Sequence, residues 1–328
     1  MRKTVHLCLS SHQEVMYRSE ADLIMGFNCL ALAVLETESR LLAEGFMTTH
    51  NHKLVQTDDA HALEKHHRYS YSRYFNAKYS RCGRLGERTC FSLEIVGNNH
   101  ILTALNYVLR QGLHHGLSST PFGYPHCSAN SFFRKELGKD HTPELMTDCN
   151  QYAYMPCHHT LPQGYRMSRS GLVLREDVID TEYVEREYMT ARTFLYMMNR
   201  LTDDSIILEQ RKDNDLPPVT LDAIESGVED FDVRKALICE QGKIDNHCLT
   251  DLELCHIIDN IYLPHFAKRG EGQSIYSISP SRRAELGNAI WEDAKNQLRP
   301  GSVPRGYSSG LFTGKRINTP QLRRCLAL

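Results

Sequence analysis

The sequence has no long apolar stretch and no regular cysteine spacing, and both absences limit what the protein can be. No segment approaches the roughly 18 consecutive apolar residues that a membrane-spanning helix needs, so we expect no membrane partner. The apolar run Val5–Leu9 is too short for a signal peptide. Eleven cysteines without a repeating interval are typical of a reducing compartment rather than a disulfide framework, which predicts a cytoplasmic protein.

Nucleotide-binding motifs are absent too. The chain contains neither a Gly-x-x-x-x-Gly-Lys-Ser/Thr phosphate loop nor a dinucleotide fingerprint. Two cysteine–histidine groups, around Cys157 and around Cys255, lack the Cys-x2-Cys spacing of a structural zinc site, which makes zinc the weaker interpretation.

The charge distribution is uneven. The whole chain carries −2, which does not by itself indicate a nucleic-acid-binding protein. Residues 1–139 nevertheless hold 16 Lys and Arg against 12 Asp and Glu (+4), and the remainder holds 22 against 28 (−6). A partner with negative charge would therefore bind the first part of the chain.

A pair of histidines, His50 and His52, stands in a segment with the composition of a β-strand. Side chains two apart on a strand point the same way, so both imidazoles would lie on one surface, as two ligands of a divalent metal should. With 17 histidines in the chain, a chance pairing is the alternative.

A second element, the helix predicted over residues 99–111, carries a tyrosine and a glutamine. Its apolar arc contains Ile101, Leu105 and Val108. Tyr107 and Gln111 are four apart, hence neighbours, and fall nearly opposite that arc. An amphipathic tyrosine at the protein surface is the alternative interpretation.

Together these residues carry a resemblance. Four segments in this order resemble the REP-associated tyrosine transposases, a branch of the single-tyrosine HUH (His-hydrophobe-His) nucleases; they are His50–His52, Tyr74–Arg88, Leu105–Leu117 and Tyr124–Ser128. The middle block, with its Tyr-Phe-Asn-x-Lys-Tyr-x-Arg-x-Gly pattern, is the most specific part. The resemblance covers roughly residues 3–138.

The resemblance implies an enzyme that nicks and rejoins single-stranded or hairpin DNA. Tyr107 would be the nucleophile that forms a 5′-phosphotyrosine intermediate. His50, His52 and Gln111 would hold Mg²⁺ or Mn²⁺. The family implies a bacterial, cytoplasmic protein and leaves open whether it forms a homodimer.

Three positions depart from the family pattern. Asn51 stands where an apolar residue is usual, on the strand face that should meet the core. Burying an amide without partners costs about 1–3 kcal/mol. Thr48-Thr49 replaces the usual Pro-Asn, and Gln111-Gly112 replaces the usual Asn-Pro; a glutamine at the fourth position after the tyrosine is what related single-tyrosine transposases use as a metal ligand.

Basic residues would hold the DNA. The candidates cluster after the histidine strand and alternate with aromatic residues; they are Arg68, Arg73, Lys78, Arg81, Arg84 and Arg88. Basic side chains bind phosphates and aromatic faces stack on unpaired bases. The alternative is a solvated helix with an aromatic core stripe.

The order of predicted elements indicates an α+β fold. Strands are expected over residues 4–10, 40–47, 50–56 and 90–96, with helices over 21–37, 58–80 and 99–111. Such alternation gives an antiparallel sheet with packed helices, and the resemblance implies a ferredoxin-like palm. We expect a domain over residues 1–138, a connector over 139–165 and a mostly helical accessory domain over 166–328. Helices are predicted there over 181–201, 222–240 and 250–262.

Two other functions remain open on the sequence. One is a domesticated protein that recognises DNA hairpins without cutting them, which Asn51 favours. The other is a regulatory interaction protein in which the helical region dominates.

Overall fold

The structure of the protein is a computed structural model. This structure describes residues 2–139, 143–199, 236–238, 244–246, 248–267, 272, 274–297, 312 and 315–328. None of the helices within these ranges is long and apolar enough to cross a membrane.

Four strands form an antiparallel sheet near the start of the chain. They are β1 (Lys3–Ser10), β2 (Arg40–Phe46), β3 (His50–Thr57) and β4 (Phe91–Ile95). Their order across the sheet is β2-β3-β1-β4, so β3 and β1 are the interior strands. The two histidines of the sequence motif therefore lie at the start of an interior strand.

Two helices connect the strands. Helix α1 (Glu20–Glu36) joins β1 to β2, and its N-cap is Ser19, which forms a capping box with Asp22. Helix α2 (Ala60–Tyr79) joins β3 to β4, and its N-cap is Asp59. The resulting βαββαβ order with this strand arrangement is the ferredoxin-like fold, which confirms the α+β prediction.

The two faces of the sheet bear different helices. Lys53 points to one face and forms an ion pair with Glu64 of α2. His52 points to the other, where its ring contacts Tyr107 of helix α3 (Asn98–Leu109). Because neighbouring strand residues point to opposite faces, α2 and α3 cover opposite sides of β3.

The chain after α3 is mostly helical in its described parts. The further helices are α4 (Gln111–His114), α5 (Asp148–Gln151), α6 (Arg175–Val178), α7 (Thr181–Tyr188), α8 (Ala191–Asn199), α9 (Asp251–Ile257), α10 (Leu263–Phe266), α11 (Pro280–Gln297) and α12 (Thr319–Cys325). A three-residue pair of strands, β5 (Ala236–Ile238) and β6 (Ile244–Asn246), is also present.

Two helix predictions in this region are wrong in part. The helix expected over 181–201 is broken between α7 and α8, because Met189 has a positive φ of 65° that no helix accommodates; residues 200 and 201 lie outside the described ranges. Of the helix expected over 222–240, the described residues Ala236–Ile238 form a strand instead, since they pair with Ile244–Asn246. The rest of that segment lies outside the described ranges.

Three apolar clusters occur among the described residues; one is small (Met47, Tyr124 and Cys127), and the other two are large. The larger of these two contains the sheet, α1 and α3, and it continues into later residues such as Val173, Phe194 and Met198. The other combines Val15 with residues of α9, α11 and α12. The domain boundaries expected at residues 138 and 165 stay a prediction. Apolar side chains from the segment 155–198 belong to the same core as the sheet.

Asn51 has a partner in the core. Its Nδ2 donates a hydrogen bond of 2.8 Å to the hydroxyl of Tyr17, and both side chains are fully buried. Tyr17 comes from the segment between β1 and α1, so a residue remote in sequence offsets part of the cost of burying the amide.

We predict that Tyr17→Phe lowers the free energy of unfolding by about 1–3 kcal/mol, because it leaves the Asn51 amide buried without its acceptor. Urea denaturation measures the change. The double variant Tyr17→Phe/Asn51→Ala should lose less than the sum of the two single variants, since each removes the same bond. Strict additivity would contradict the prediction.

Candidate functional site

The candidate site lies between the sheet and helix α3. His50 and His52 share one face of β3, as their spacing predicts. Gly45 of β2 stands beside His52 in the sheet. A Cβ at this position would lie 3.1 Å from the carbonyl oxygen of Val108 and 3.0 Å from Sγ of Cys127. A glycine therefore allows α3 to approach the histidines.

Tyr107 of α3 faces the histidine surface. Its ring meets that of His52 edge-on, with centroids 5.1 Å apart and an interplanar angle of 86°. Only 7% of the residue is exposed. The prediction that Tyr107 lies away from the core is wrong, because α3 is packed between the sheet on one side and α7 and α8 on the other.

Gln111 lies beside the same rings. It begins the short helix α4, after α3 ends at Leu109, and it is fully buried. Its Nε2 donates to the carbonyl oxygen of Tyr107 at 3.1 Å, and its Oε1 lies 3.1 Å from Nε2 of His115. The structure thus brings together all four predicted site residues, His50, His52, Tyr107 and Gln111.

Three further histidines join the cluster, and no sequence pattern points directly to any of them. Nε2 of His6, in β1, lies 3.1 Å from Nδ1 of His52, and His115 lies against His50 with ring centroids 4.7 Å apart. The ring of His114 contacts the rings of Tyr107 and His115. His6 belongs to a strand that the sequence predicts, but its position beside His52 depends on the register between two strands. His115 resembles a polar loop residue in the sequence, whereas the structure buries it.

Burial keeps the site histidines neutral near pH 7. Burial lowers the pKa of His50 to about 3; His114 lowers it further, while a contact with Gln111 opposes the shift. Burial and the charge of Lys53 lower the pKa of His6 to about 3. Burial, together with the rings of His50 and His6, lowers the pKa of His52 well below its ordinary value. A neutral imidazole retains a nitrogen lone pair that can bind a metal.

In the rings of His50 and His52, one nitrogen has a hydrogen-bond partner and the other has none among the described residues. Nδ1 of His50 lies 3.1 Å from the hydroxyl of Thr49, and Nδ1 of His52 lies 3.1 Å from Nε2 of His6. Nε2 of both His50 and His52 is buried and has no hydrogen-bond partner among the described residues. Metal-binding histidines commonly have this arrangement, in which one nitrogen is held by a protein group and the other binds the ion.

The residues present therefore fit a divalent metal. His50 and His52 would supply two nitrogens, and the amide oxygen of Gln111 would supply a third ligand. No group of three or more His, Cys, Asp or Glu side chains suited to a metal occurs in the described part of the chain. A metal here would depend on the glutamine as well as on the histidines.

The six predicted DNA-binding residues have different surroundings. Three are already engaged: Arg68 donates to the carbonyl oxygens of Leu85, Gly86 and Glu87, while Lys78 and Arg81 form ion pairs with Asp22 and Glu14. The other three, Arg73, Arg84 and Arg88, are exposed and form no ion pair with another described residue. Their role in DNA binding stays a prediction.

The loop that bears Arg84 and Arg88 lies next to the histidine end of the sheet. The backbone N–H of Glu87 donates to the carbonyl oxygen of Ser10, and Ser10 pairs with His50 across the sheet. Arg73 lies on α2, with its guanidinium over the ring of Tyr69, which is 63% exposed. Exposed positive charge thus extends close to the edge of the candidate site.

The site itself is closed in this structure. His50, His52 and Gln111 are buried, and little of Tyr107 is exposed. A DNA phosphate can reach the tyrosine only after the packing around it opens. Any reaction at this site therefore requires a conformational change.

Comparison with known proteins gives few matches. No protein-family model matches the chain, and no curated protein matches it. Among solved structures, one described as a REP-associated tyrosine transposase bound to a REP hairpin aligns with 43% of this chain and 82% of its own. The sequence identity is 10% and the TM-score 0.35, so the likeness is distant. The chemistry of the site is therefore judged from its own side chains.

We predict that stability falls as the pH is lowered from 7 toward 3. The folded pKa of His50 lies below its unfolded value of 6.5, so the unfolded chain takes up the proton first. Each such histidine contributes a slope of up to about 1.4 kcal/mol per pH unit between these two values.

Urea denaturation at pH 4, 5, 6 and 7 measures that slope. His50→Asn should reduce it by up to about 1.4 kcal/mol per pH unit, because the variant removes one buried titrating group. An unchanged slope in the variant would contradict the pKa assigned to His50.

Proposed function

We propose that this chain is a metal-dependent DNA endonuclease and transposase that nicks and rejoins single-stranded or hairpin DNA through Tyr107. The observation that carries the proposal is the position of Tyr107, whose ring packs directly against a pair of neutral histidines with open Nε2 atoms. A phenol beside two metal-binding nitrogens and an amide oxygen is suited to phosphoryl transfer.

The reaction would proceed by two transfers. The Tyr107 hydroxyl would give its proton to solvent, and its oxygen would attack the phosphorus of a phosphodiester. The bond from phosphorus to the 3′ oxygen would break, the 3′ oxygen would take a proton from solvent, and the DNA would be held as a 5′-phosphotyrosine. A 3′ hydroxyl would later attack the phosphorus of the phosphotyrosine; the bond from phosphorus to the Tyr107 oxygen would break, the hydroxyl proton would pass to the tyrosine, and a phosphodiester would be restored without ATP. Covalent catalysis thereby divides one difficult transfer into two easier ones.

Three residues would hold a divalent cation, Mg²⁺ or Mn²⁺. They are His50, His52 and Gln111. When bound, the cation would neutralise charge that develops on the phosphate oxygens. The protein's part is to present neutral imidazoles, keep Gln111 oriented through its bonds to His115 and Tyr107, and exclude water around the phenol.

DNA would be held by the exposed arginines. Arg84 and Arg88 lie on the loop beside the histidine end of the sheet, and Arg73 lies on α2. Phosphate contacts by arginine do not depend on sequence, so this surface would position a strand or hairpin rather than select its bases. A homodimer and a bacterial cytoplasmic location belong to the same proposal.

A second candidate is a hairpin-binding protein that does not cut. The closed packing around Tyr107 favours it, because a binder would need no access to the tyrosine. The two candidates share the basic surface and differ only in the covalent step. One experiment therefore separates them.

We predict that incubation with labelled DNA hairpins and Mg²⁺ or Mn²⁺ gives a protein-linked label on a denaturing gel. The label should disappear with EDTA and in Tyr107→Phe, which keeps the ring but removes the nucleophile. Hairpin binding on a native gel should remain in this variant. Tyr69→Phe, which changes an exposed tyrosine, is the matched control and should retain the label.

Retarded bands without any covalent species, under either metal, would favour the non-cutting candidate. A label that survives in Tyr107→Phe would contradict the role of this tyrosine. Absence of both binding and label would contradict both candidates.

We predict that Arg84→Gln and Arg88→Gln weaken hairpin binding and each lower the salt dependence of the affinity by about one counterion. Arg68→Gln should instead lower the free energy of unfolding, by about 1 kcal/mol or more, since it leaves partly buried carbonyl groups without these donors. Fluorescence anisotropy at several salt concentrations and urea denaturation distinguish these effects. If all three variants weakened hairpin binding equally and none lowered the free energy of unfolding, the different roles assigned to Arg68 and to Arg84 and Arg88 would be contradicted.

A further inference from the structure

His6 is a buried histidine whose role neither the fold nor the predicted site explains. It lies in the middle of β1, is fully buried, and its Nε2 is 3.1 Å from Nδ1 of His52. The two rings are nearly parallel, with an interplanar angle of 13° and centroids 5.3 Å apart. The His6 ring also meets Tyr107 edge-on, with centroids 5.9 Å apart.

The contact between the two rings allows two arrangements of protons. In the first, Nδ1 of His52 carries the hydrogen and donates it to Nε2 of His6, which leaves Nε2 of His52 with a lone pair. In the second, Nε2 of His6 donates to Nδ1 of His52, which places a hydrogen on Nε2 of His52. That N–H would be buried without an acceptor, because Nε2 of His52 has no hydrogen-bond partner among the described residues.

The first arrangement is the one that a metal site can use. A lone pair on Nε2 of His52 binds a cation, whereas an N–H at the same atom repels it. The arrangement leaves the other hydrogen on Nδ1 of His6, which is also buried and has no hydrogen-bond partner in the part of the chain that the structure describes. A bound cation would engage the lone pair on Nε2 of His52. Of the two ring atoms without a partner, only the N–H at Nδ1 of His6 would then stay unsatisfied.

We propose that His6 is a positioning residue that accepts a hydrogen bond from Nδ1 of His52 and thereby keeps Nε2 of His52 available for a divalent cation. The inference rests on the proposed function, because it assigns His52 as a ligand. It adds a residue that the His-x-His motif does not contain. His6 acts through His52 and is not itself a ligand.

The surroundings favour a dedicated role for His6. Nδ1 of His50 contacts the hydroxyl of Thr49, the residue before it in the chain. Nδ1 of His52 instead contacts His6, a residue on the adjacent strand. Cys8, which pairs with His52 across the sheet, has a thiol and no ring nitrogen that could accept this hydrogen bond.

The hydrogen position can be measured without metal. Two-bond ¹⁵N–¹H spectra of the metal-free protein, labelled with ¹⁵N-histidine, report which nitrogen of each ring is protonated. We expect His52 to carry its hydrogen on Nδ1 and His6 to carry its own on Nδ1. A His52 ring protonated on Nε2 would overturn the proposal.

Metal binding provides the second measurement. Titration calorimetry with Mn²⁺ alone should show binding that is 10- to 100-fold weaker in His6→Phe, which is the usual loss when a group that orients a ligand is removed. His6→Gln should recover part of the affinity, because its amide oxygen can accept the same hydrogen bond. Urea denaturation of each variant verifies that it is folded.

The possible outcomes separate this proposal from the proposed function. Wild-type protein that binds no Mn²⁺ would contradict the metal site, while the spectra would still decide the role of His6. His6→Phe that is folded and binds Mn²⁺ like the wild type would overturn the role of His6 and leave the metal site intact. If His6→Phe does not fold, the wild-type spectra and the affinity of His6→Gln decide.

Discussion

The alternation of side chains along β3 is the constraint on which the rest of the structure depends. His50 and His52 point to the face under α3, so Asn51 and Lys53 must point into the opposite core. Both are polar and fully buried, and both are paired: Asn51 with Tyr17, and Lys53 with Glu64 and His67. An unpaired buried lysine would strongly favour unfolding. The core therefore contains the polar partners that this strand requires when its histidines point to the other face.

The turn before His50 is fixed from several directions. The carbonyl oxygen of Thr48 accepts hydrogen bonds from the backbone N–H groups of Met16 and Tyr17, and its hydroxyl donates to Asp251 of α9. Arg18, in the same segment as Tyr17, is buried and forms an ion pair with the partly exposed Asp259. The C-terminal helices thus help to position the strand that bears the histidines, which gives this part of the chain a structural role beside any role in selecting DNA.

The sequence predicts the sheet and its helices well, because alternating and helical periodicities are local. It also predicts that His50 and His52 share a face. It cannot show that His6 lies beside His52, since register joins two separate strands, nor that Tyr107 is buried, since α7 and α8 cover the other side of α3. The engagement of Arg68 with loop carbonyls and the contact between Asn51 and Tyr17 likewise depend on packing between distant segments.

If Tyr107 is the nucleophile, it forms a covalent bond to DNA. Tryptic digestion after reaction with a hairpin and Mn²⁺ gives a direct test, because cleavage after Arg88 and Arg110 releases a peptide in which Tyr107 is the single tyrosine. We expect mass spectrometry to find this peptide carrying a nucleotide through a phosphate linkage. An adduct on a different tyrosine peptide, or a reacted sample in which this peptide is entirely unmodified, would contradict it.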